Sequence, residues 1–268
     1  MLDEDGLPLD DVGVWTKEKH VRLRKYVDIT RGVRKRWVEG PGGATYIDLF
    51  CGSGRAVVRE TDERIDGSPL VAFTTARDGK VPFSRIYIAD ESETSVSVAQ
   101  QRLETVGAPV ATETGRAADT APRVVRDLNK HGLHLVFLDP FSLEDLPFSV
   151  IQAFSTLKHV DMLIHVSAQD LQRNLDRYSA SADSPLDRFA PGWKGMVDRK
   201  QRMEATRAAY IRYWVAKIEA LGFPPGRFEL IVGSKNQRLY WLVLISRHPR
   251  AAEFWDKIRN ISGQGELL

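Results

Sequence analysis

Asp48-Leu-Phe-Cys-Gly-Ser-Gly54 joins the end of an apolar run, residues 45–50, to a turn with two glycines. Glycines 52 and 54 allow the backbone to bend sharply and to approach a ligand closely. The acidic Asp48 suits a site for the cationic amine of a nucleoside-derived ligand such as S-adenosylmethionine, because phosphate sites usually recruit positive charge. The alternative is a tight strand-exit turn in another α/β protein, since short glycine motifs recur by chance.

Strand-like and helix-like segments alternate after this turn. Apolar runs such as Leu135–Leu138 and Met162–Val166 are typical of parallel strands that are covered on both faces. Thirteen residues, 55–67, separate Gly54 from a helix start at Ser68-Pro69, which we expect to form a long loop. That spacing disfavours a dinucleotide fingerprint, in which the helix follows the turn at once. The predicted strands are 45–50, 84–90, 109–114, 133–138 and 161–166, and the predicted helices are 68–78, 93–106, 119–130 and 147–158.

The C-terminal third has a different pattern. Residues 168–222 are predicted to be a helical insertion with a helix at 201–221, and residues 227–246 form two strands joined by Gly233-Ser-Lys-Asn236. The prediction is therefore an α/β, Rossmann-like class I methyltransferase fold with a mostly parallel seven-stranded sheet. A C-terminal antiparallel hairpin and extra N-terminal and C-terminal helices complete it. We expect residues 1–268 to form a single domain, with a cofactor-binding core at 45–166.

Composition excludes several kinds of site. The one cysteine, Cys51, cannot form an intrachain disulfide, a Cys-rich zinc site or a Cys-ligated iron-sulfur cluster. The histidines lack partners at metal-ligand spacing, so no metal is expected. No apolar run approaches the roughly 20 residues of a membrane span, and the N-terminus is acidic. We expect a cytoplasmic protein without a membrane partner.

Residues 15–38 have the periodicity of one helix whose outer faces are basic. A solvated surface is one interpretation of this charge; contact with the phosphates of RNA or DNA is the other. Arg34 and Lys35 are the candidate substrate contacts within it. Its basic residues are Lys17, Lys19, Arg22, Arg24, Lys25, Arg31, Arg34, Lys35 and Arg36.

Polar groups follow the predicted strands at their carboxyl ends, where open α/β sheets bind ligands. Phe50 to Gly54 follow the first strand, and Asp90, preferred over Glu91, is placed to accept hydrogen bonds from ribose hydroxyls. Asp119 follows the third strand and is a further cofactor candidate. Helix capping is the alternative role for the acidic residues.

Asp139-Pro140-Phe141 ends the fourth strand and is the candidate catalytic segment. Phe141 could stack on a planar base while Asp139, or a nearby carbonyl, accepts from an exocyclic amine. Catalysis would then depend on proximity and alignment without a covalent nucleophile. The alternative is a strand-terminating turn with Phe141 in the core.

The sequence resembles the three-Cys-motif partner protein family, whose members have a class I methyltransferase-like fold. The resemblance covers roughly residues 15–180. It implies methyltransferase activity with S-adenosylmethionine as cofactor. The matching Gln169–Arg173 stretch makes Arg173 a candidate substrate contact. It also implies a separate, cysteine-bearing partner that resembles radical-S-adenosylmethionine enzymes. The matching segments are Trp15-Thr-Lys17 with Leu23 and Tyr26, Tyr46–Gly54, Gly67–Leu70, Tyr87–Glu91, Phe137–Phe141 and Gln169–Arg173.

Two further similarities concern the acceptor. Asp139-Pro-Phe resembles the triplet of tRNA guanine exocyclic-amine methyltransferases, and Phe50-Cys-Gly-Ser-Gly resembles the cofactor turn of enzymes that methylate amino groups of nucleic acid. The leading hypothesis is methylation of an exocyclic amine of a nucleic-acid base. The alternatives are a non-catalytic partner subunit of the three-Cys protein and, less favoured, an NAD oxidoreductase.

Overall fold

The structure is a computed structural model that describes residues 1–180, 184–232 and 238–259. The strands in these ranges are β1 (Asp10–Val12), β2 (Ala44–Asp48), β3 (Arg55–Val58), β4 (Glu63–Asp66), β5 (Arg85–Asp90), β6 (Val110–Thr114), β7 (Leu133–Leu138), β8 (Val160–Ser167), β9 (Arg227–Val232) and β10 (Arg238–Ser246). The helices are α1 (Thr16–Ile29), α2 (Arg31–Val38), α3 (Ser68–Asp78), α4 (Glu93–Thr105), α5 (Ala117–Asp127), α6 (Phe148–Ser155), α7 (Ala168–Ala180), α8 (Pro185–Phe189), α9 (Met203–Glu219) and α10 (Pro249–Arg259).

Seven strands form the main sheet, in the order β6-β5-β2-β7-β8-β10-β9. Six of them run in one direction, and β10 is antiparallel to both of its neighbours. The predicted fold class is confirmed. The strand order reverses at β2, between β5 and β7, so a ligand crevice is expected beyond the carboxyl ends of these three strands.

Helices cover both faces of the sheet, and alternate residues of one strand separate the two cores. In β7, Val136 and Leu138 belong to the core that α5, α6 and α9 cover. Leu135 and Phe137 belong to the opposite core, beneath α1, α3 and α10. This division explains why the strand is apolar throughout, because each face needs its own set of buried side chains.

The predicted basic helix at 15–38 is two helices, α1 and α2, which meet at Thr30. The Thr30 hydroxyl donates to the carbonyl of Tyr26 at 2.6 Å, and the Thr30 amide donates to the same carbonyl. A hydroxyl that competes for a helical carbonyl in this way favours a bend. The prediction of a single helix was therefore wrong, although its apolar residues Leu23, Tyr26, Val27, Val33 and Trp37 all lie in α1 or α2.

Residues 55–66 also differ from the prediction, because they form the β3–β4 hairpin and not a loop. Strand β1 pairs in parallel with β3, with Asp10 opposite Ala56 and Val12 opposite Val58. The partner strand comes from the N-terminal end of the chain, so local sequence around the hairpin gives little sign of it. The result is a three-stranded sheet placed directly after the glycine turn.

The C-terminal region follows the prediction, with α9 at the expected helix and β9 and β10 paired antiparallel. The expected turn at 233–236 lies outside the described residues. Arg22 of α1 forms a buried ion pair with Glu229 of β9, which ties the first long helix to the edge strand. Among the described helices, none combines the length and apolar character needed to span a bilayer.

Candidate cofactor and acceptor site

The turn after β2 requires its two glycines. Gly52 and Gly54 have φ angles of 53° and 81°, in the left-handed region that favours glycine. A Cβ at residue 54 would lie 3.2 Å from the Cα of Ala99, so the turn packs directly on the backbone of α4. The amide of Gly52 donates to Oδ2 of Asp90 at 3.1 Å. The glycine turn and the end of β5 thus form one polar unit.

Asp90 lies beside the glycine turn at the end of β5, and it is half-buried. Besides the Gly52 amide, its carboxylate accepts from the amide of Ser92 at 3.0 Å. A carboxylate has about four acceptor positions, so capacity remains for further donors. Glu91 instead pairs with Arg116 at 3.0 Å. The structure therefore brings Asp90, and not Glu91, to the turn.

Asp48 is fully buried, with 0 % of its surface exposed. Its carboxylate accepts from the hydroxyl of Ser68 at 2.6 Å, the hydroxyl of Tyr46 at 3.0 Å and the amide of Phe50 at 3.1 Å. This location does not suit the direct contact with a cofactor amine that the sequence led us to expect. Asp48 instead joins the end of β2 to the start of α3 and supports the turn from below.

Burial raises the pKa of Asp48 to about 7, although its three hydrogen bonds act in the opposite direction. Because this value is above the unfolded one, the wild type loses stability as pH rises from about 4 to about 7. Between pH 5 and pH 8, ionisation of Asp48 should lower the free energy of unfolding of the wild type by about 2 to 3 kcal/mol. We expect this decrease to be absent in Asp48→Asn, which cannot ionise. Urea unfolding at the two pH values measures it, with the exposed Asp11→Asn as control. Equal pH dependence of wild type and Asp48→Asn would contradict the assignment.

A second polar cluster surrounds Asp139 at the end of β7. The ammonium of Lys19, from α1, lies 2.7 and 2.6 Å from the two carboxylate oxygens. Nδ1 of His165, from the neighbouring strand β8, lies 3.3 Å from Oδ1 of Asp139. The ring of Tyr240, on β10, packs against His165 with 4.6 Å between ring centroids. Three strands and the first helix therefore converge on one carboxylate.

The charges in this cluster are balanced. Burial, the largest single cause, would raise the pKa of Asp139, but Lys19, with smaller effects of His165 and His20, lowers the pKa below its ordinary value. Burial, reinforced by the Lys19 ammonium, lowers the pKa of His165 and of His20 to about 4. At neutral pH the cluster is one carboxylate–ammonium pair beside two uncharged imidazoles. Asp139 is therefore a weak base held in a fixed position.

Phe141 projects from this cluster, with 97 % of its surface exposed. Pro140, just before it, is buried. Just after it, Leu143 is anchored by its amide, which donates to Asp170 at 2.9 Å. The backbone is thus fixed on both sides of an aromatic ring that has no place in the core. The alternative in which Phe141 is a core residue does not apply.

The remaining cofactor candidates lie at the same edge of the sheet. Phe50 is half-buried and packs against the core beneath α5 and α6. Asp119 is exposed in the first turn of α5, directly after β6. Arg173 is exposed on α7, which begins where β8 ends. Within the described residues, neither the carboxylate of Asp119 nor the guanidinium of Arg173 forms a hydrogen bond or ion pair with the glycine turn or with Asp139.

Arg34 and Lys35 lie at the opposite edge of the sheet. Arg34 is 1 % exposed and donates to the carbonyls of Val81 and Val27 at 2.8 and 2.7 Å. Val81 precedes β5, so this is the amino edge of the strands. Arg34 therefore does not suit the substrate contact expected from the sequence. Lys35 is exposed there, 3.6 Å from Glu39.

Three residues that sequence reasoning did not single out contribute to the site. Lys19 was one of nine basic residues in a helix, and His165 was one histidine in an apolar strand. Asp10, on β1, accepts a hydrogen bond from the amide of Ser53 inside the glycine turn at 2.7 Å. His165 could have been recognised from the sequence as a polar residue near the end of an otherwise apolar strand. Nothing in the sequence distinguishes Lys19 or Asp10 from other charged residues nearby.

The fold resembles solved structures at low sequence identity. The protein LPL1258 from Legionella pneumophila str. Philadelphia 1 has a TM-score of 0.56 and 12 % identity, covering 89 % of each chain. The O-methyltransferase from Bacillus cereus in complex with SAH has a TM-score of 0.51 and 15 % identity, covering 90 % of this chain and 85 % of that one. No family model and no curated protein matches the sequence. Together with the strand order, these likenesses establish that the chain has a Rossmann-like methyltransferase fold.

Proposed function

We propose that the protein is an S-adenosylmethionine-dependent methyltransferase. The observation that carries the proposal is the glycine turn with Asp90 at the point where the strand order reverses. In open α/β sheets, this crevice is the expected ligand site. The Bacillus cereus structure of the same fold, which contains SAH, supports the choice of cofactor.

The residues at the crevice fit this cofactor. Asp90 retains acceptor capacity for the two ribose hydroxyls, and carboxylate–hydroxyl hydrogen bonds are among the stronger ones. Asp10 and Asp90 contribute negative charge around the turn, and Asp48, whose pKa is about 7, contributes part of a charge at neutral pH. After burial, which is the largest cause, these carboxylates raise the pKa of Cys51. This charge suits a cationic cofactor better than a phosphate-bearing one. The same feature disfavours NAD.

When bound, S-adenosylmethionine supplies a methyl group on a positively charged sulfur, and the acceptor displaces that sulfur. The protein then needs to hold donor and acceptor in line and to exclude water, which can lower the barrier by about 7 to 11 kcal/mol in favourable cases. Fixed groups at the ends of β2, β5 and β7 serve this purpose. Asp139 contributes position and charge, because Lys19 keeps it from acting as a strong base.

We further propose that the acceptor is an exocyclic amine of a nucleic-acid base. Exposed Phe141 offers a stacking face next to Asp139, and base stacking on an aromatic side chain contributes about 1–3 kcal/mol. With both oxygens of Asp139 held by Lys19, the main-chain carbonyls of this segment become the better acceptors for the amine. RNA and DNA both satisfy this chemistry.

A groove of about 630 Å³ between α1 and α3 supports contact with a polyanion. Arg24, Lys25 and Arg31 line it and form no ion pair with any residue in the described ranges, while Asp28 and Asp78 also contribute to its walls. Phosphates could therefore be neutralised along α1. This groove replaces buried Arg34 and ion-paired Lys35 as the proposed backbone contact. Its lining by Asp78 and Gly79, at the end of α3, places it toward the amino edge of the strands, so it would bind backbone phosphates away from the reacting base.

Calorimetric titration with S-adenosylmethionine and S-adenosylhomocysteine is the test of the proposed function, followed by methyl transfer to tRNA, rRNA and DNA. Saturable binding of both ligands with one site per chain is expected. Absence of binding to the folded protein would refute the proposal.

Phe141→Ala is expected to raise the KM for the nucleic acid about 10-fold, since one stacking contact is lost. The cofactor Kd and the midpoint of thermal unfolding should not change, because the ring is outside the core. Met196→Ala, which removes another exposed apolar side chain, is the matched control. A KM like that of wild type would show that no base stacks on Phe141.

The second candidate is a non-catalytic partner subunit of a three-Cys-motif protein. The Lys19–Asp139 ion pair favours this candidate, because Lys19 already binds the carboxylate that was expected to hydrogen-bond to the acceptor amine. Co-expression with such a protein, followed by affinity capture and methyl-transfer assays of the complex, separates the two functions. Stable capture without methyl transfer to any nucleic acid would favour the subunit.

A further inference from the structure

We propose that Asp10 is a positioning residue of the cofactor turn, so that cofactor affinity depends on the N-terminal arm, residues 1–12. The inference rests on the proposed function, because it assigns a role within the same site. The arm is remote from the turn in sequence, and β1 places the two side by side.

The first support is the contact between Asp10 and the turn itself. Oδ2 of Asp10 accepts from the amide of Ser53 at 2.7 Å, and a Cβ at residue 52 would collide with the same oxygen. On the other side, the Gly52 amide donates to Asp90. Two consecutive amides of the turn are therefore oriented by two carboxylates, one from the arm and one from the ribose-binding position.

The second support is Arg102 of α4, whose side chain is buried. Its guanidinium donates to the carbonyl of Ser53 at 2.8 Å and to the carbonyl of Pro8 at 2.9 Å. It also donates to the two carboxylate oxygens of Asp5 at 2.9 and 3.0 Å. The arm thus contacts both backbone groups of Ser53. Asp10 accepts a hydrogen bond from the Ser53 amide, and the guanidinium of Arg102 donates both to the Ser53 carbonyl and to groups of the arm.

A third support is electrostatic. Burial raises the pKa of Asp10, and the charge of Asp90 adds to the effect. Two carboxylates that share the turn repel each other, and a bound cationic cofactor reduces this repulsion. Order of the arm and occupancy of the cofactor site should therefore stabilise each other, since coupling between sites is reciprocal.

Binding of S-adenosylhomocysteine to three variants tests the positioning role. We expect Asp10→Ala to weaken binding by about 5- to 50-fold, within the usual range of coupling between sites. Asp10→Asn keeps an oxygen that can accept from Ser53 and should recover most of the affinity. Asp11→Ala, at the adjacent exposed residue that pairs with Arg59, should bind as wild type. Equal weakening in Asp10→Asn and Asp10→Ala, or wild-type affinity in Asp10→Ala, would overturn the proposal.

Hydrogen exchange supplies the reciprocal measurement. Addition of S-adenosylmethionine, which carries the positive charge on sulfur that S-adenosylhomocysteine lacks, should slow exchange in residues 1–12 of the wild type, and an unchanged rate would refute the coupling. If the wild type binds no cofactor, the proposed function fails while the positioning role is still tested. In that case Asp10→Ala should speed exchange of residues 50–54 without ligand, and an unchanged rate there would overturn it.

Discussion

Asp90→Ala is expected to weaken S-adenosylhomocysteine binding by about 100-fold, the largest effect on affinity of any single substitution at the site. Hydrogen bonds to a charged group contribute about 1.5–3 kcal/mol each, and loss of the ribose contacts therefore removes roughly 3 kcal/mol. The substitution also leaves the Gly52 amide without its carboxylate partner. Calorimetric titration at one ionic strength measures the change.

Glu91→Ala is the control for this experiment, because Glu91 has the same charge at the next position and pairs outward with Arg116. Its affinity should equal that of wild type. If Glu91→Ala weakened binding more than Asp90→Ala, the ribose assignment would be wrong. Similar losses in both variants would indicate a general electrostatic effect on the ammonium group of the ligand.

Lys19→Met is expected to lower the free energy of unfolding by about 3–5 kcal/mol at pH 7, the usual result of removing one partner of a buried ion pair. The Asp139 side chain is only 16 % exposed, so its charge would be left with little solvent. Without Lys19, burial raises the pKa of Asp139, so the carboxylate of the variant is protonated first, and the difference from wild type should shrink as pH falls from neutral toward the lowered pKa of the wild type. Urea unfolding over this pH range measures both effects.

The double variant Lys19→Met, Asp139→Asn separates the ion pair from the packing of the lysine stem. We expect it to recover most of the lost stability, since no unpaired charge remains. Lys17→Met, which removes a half-buried lysine paired with exposed Glu63, should stay within about 1 kcal/mol of wild type. A double variant as unstable as Lys19→Met would show that the pair itself contributes little.

The parallel sheet could be predicted from the sequence, because its parallel strands are apolar on both faces and end in polar residues. Asp90 followed from the same regularity, since a carboxylate at the end of β5 must lie near the end of β2 in a parallel sheet. Its exact partner, the Gly52 amide, depends on the left-handed conformation of the turn. Local residue types predict such a turn but not what surrounds it.

Contacts between remote segments were the part that could not be predicted. Lys19 and Arg34 have the same charge in one basic segment, yet one reaches Asp139 and the other binds carbonyls at the opposite edge. The difference arises from the bend at Thr30 and from the direction of α1 across the sheet. Similarly, β3 pairs with β4 in its own hairpin and also with β1, which is more than 40 residues earlier in the chain. Periodicity contains no information about such partners.

The buried pair between Arg22 and Glu229 joins residues 207 positions apart, and Lys19 reaches Asp139 over 120 positions. During synthesis, α1 leaves the ribosome long before either partner exists. Part of the core that its apolar face joins, contributed by Tyr240, Leu242 and Leu244 of β10, does not exist until the C-terminal strands are made. Contacts of such high sequence separation slow folding and prolong the exposure of apolar surface. We expect folding of this chain to finish with docking of its first helix, after release of its last strands.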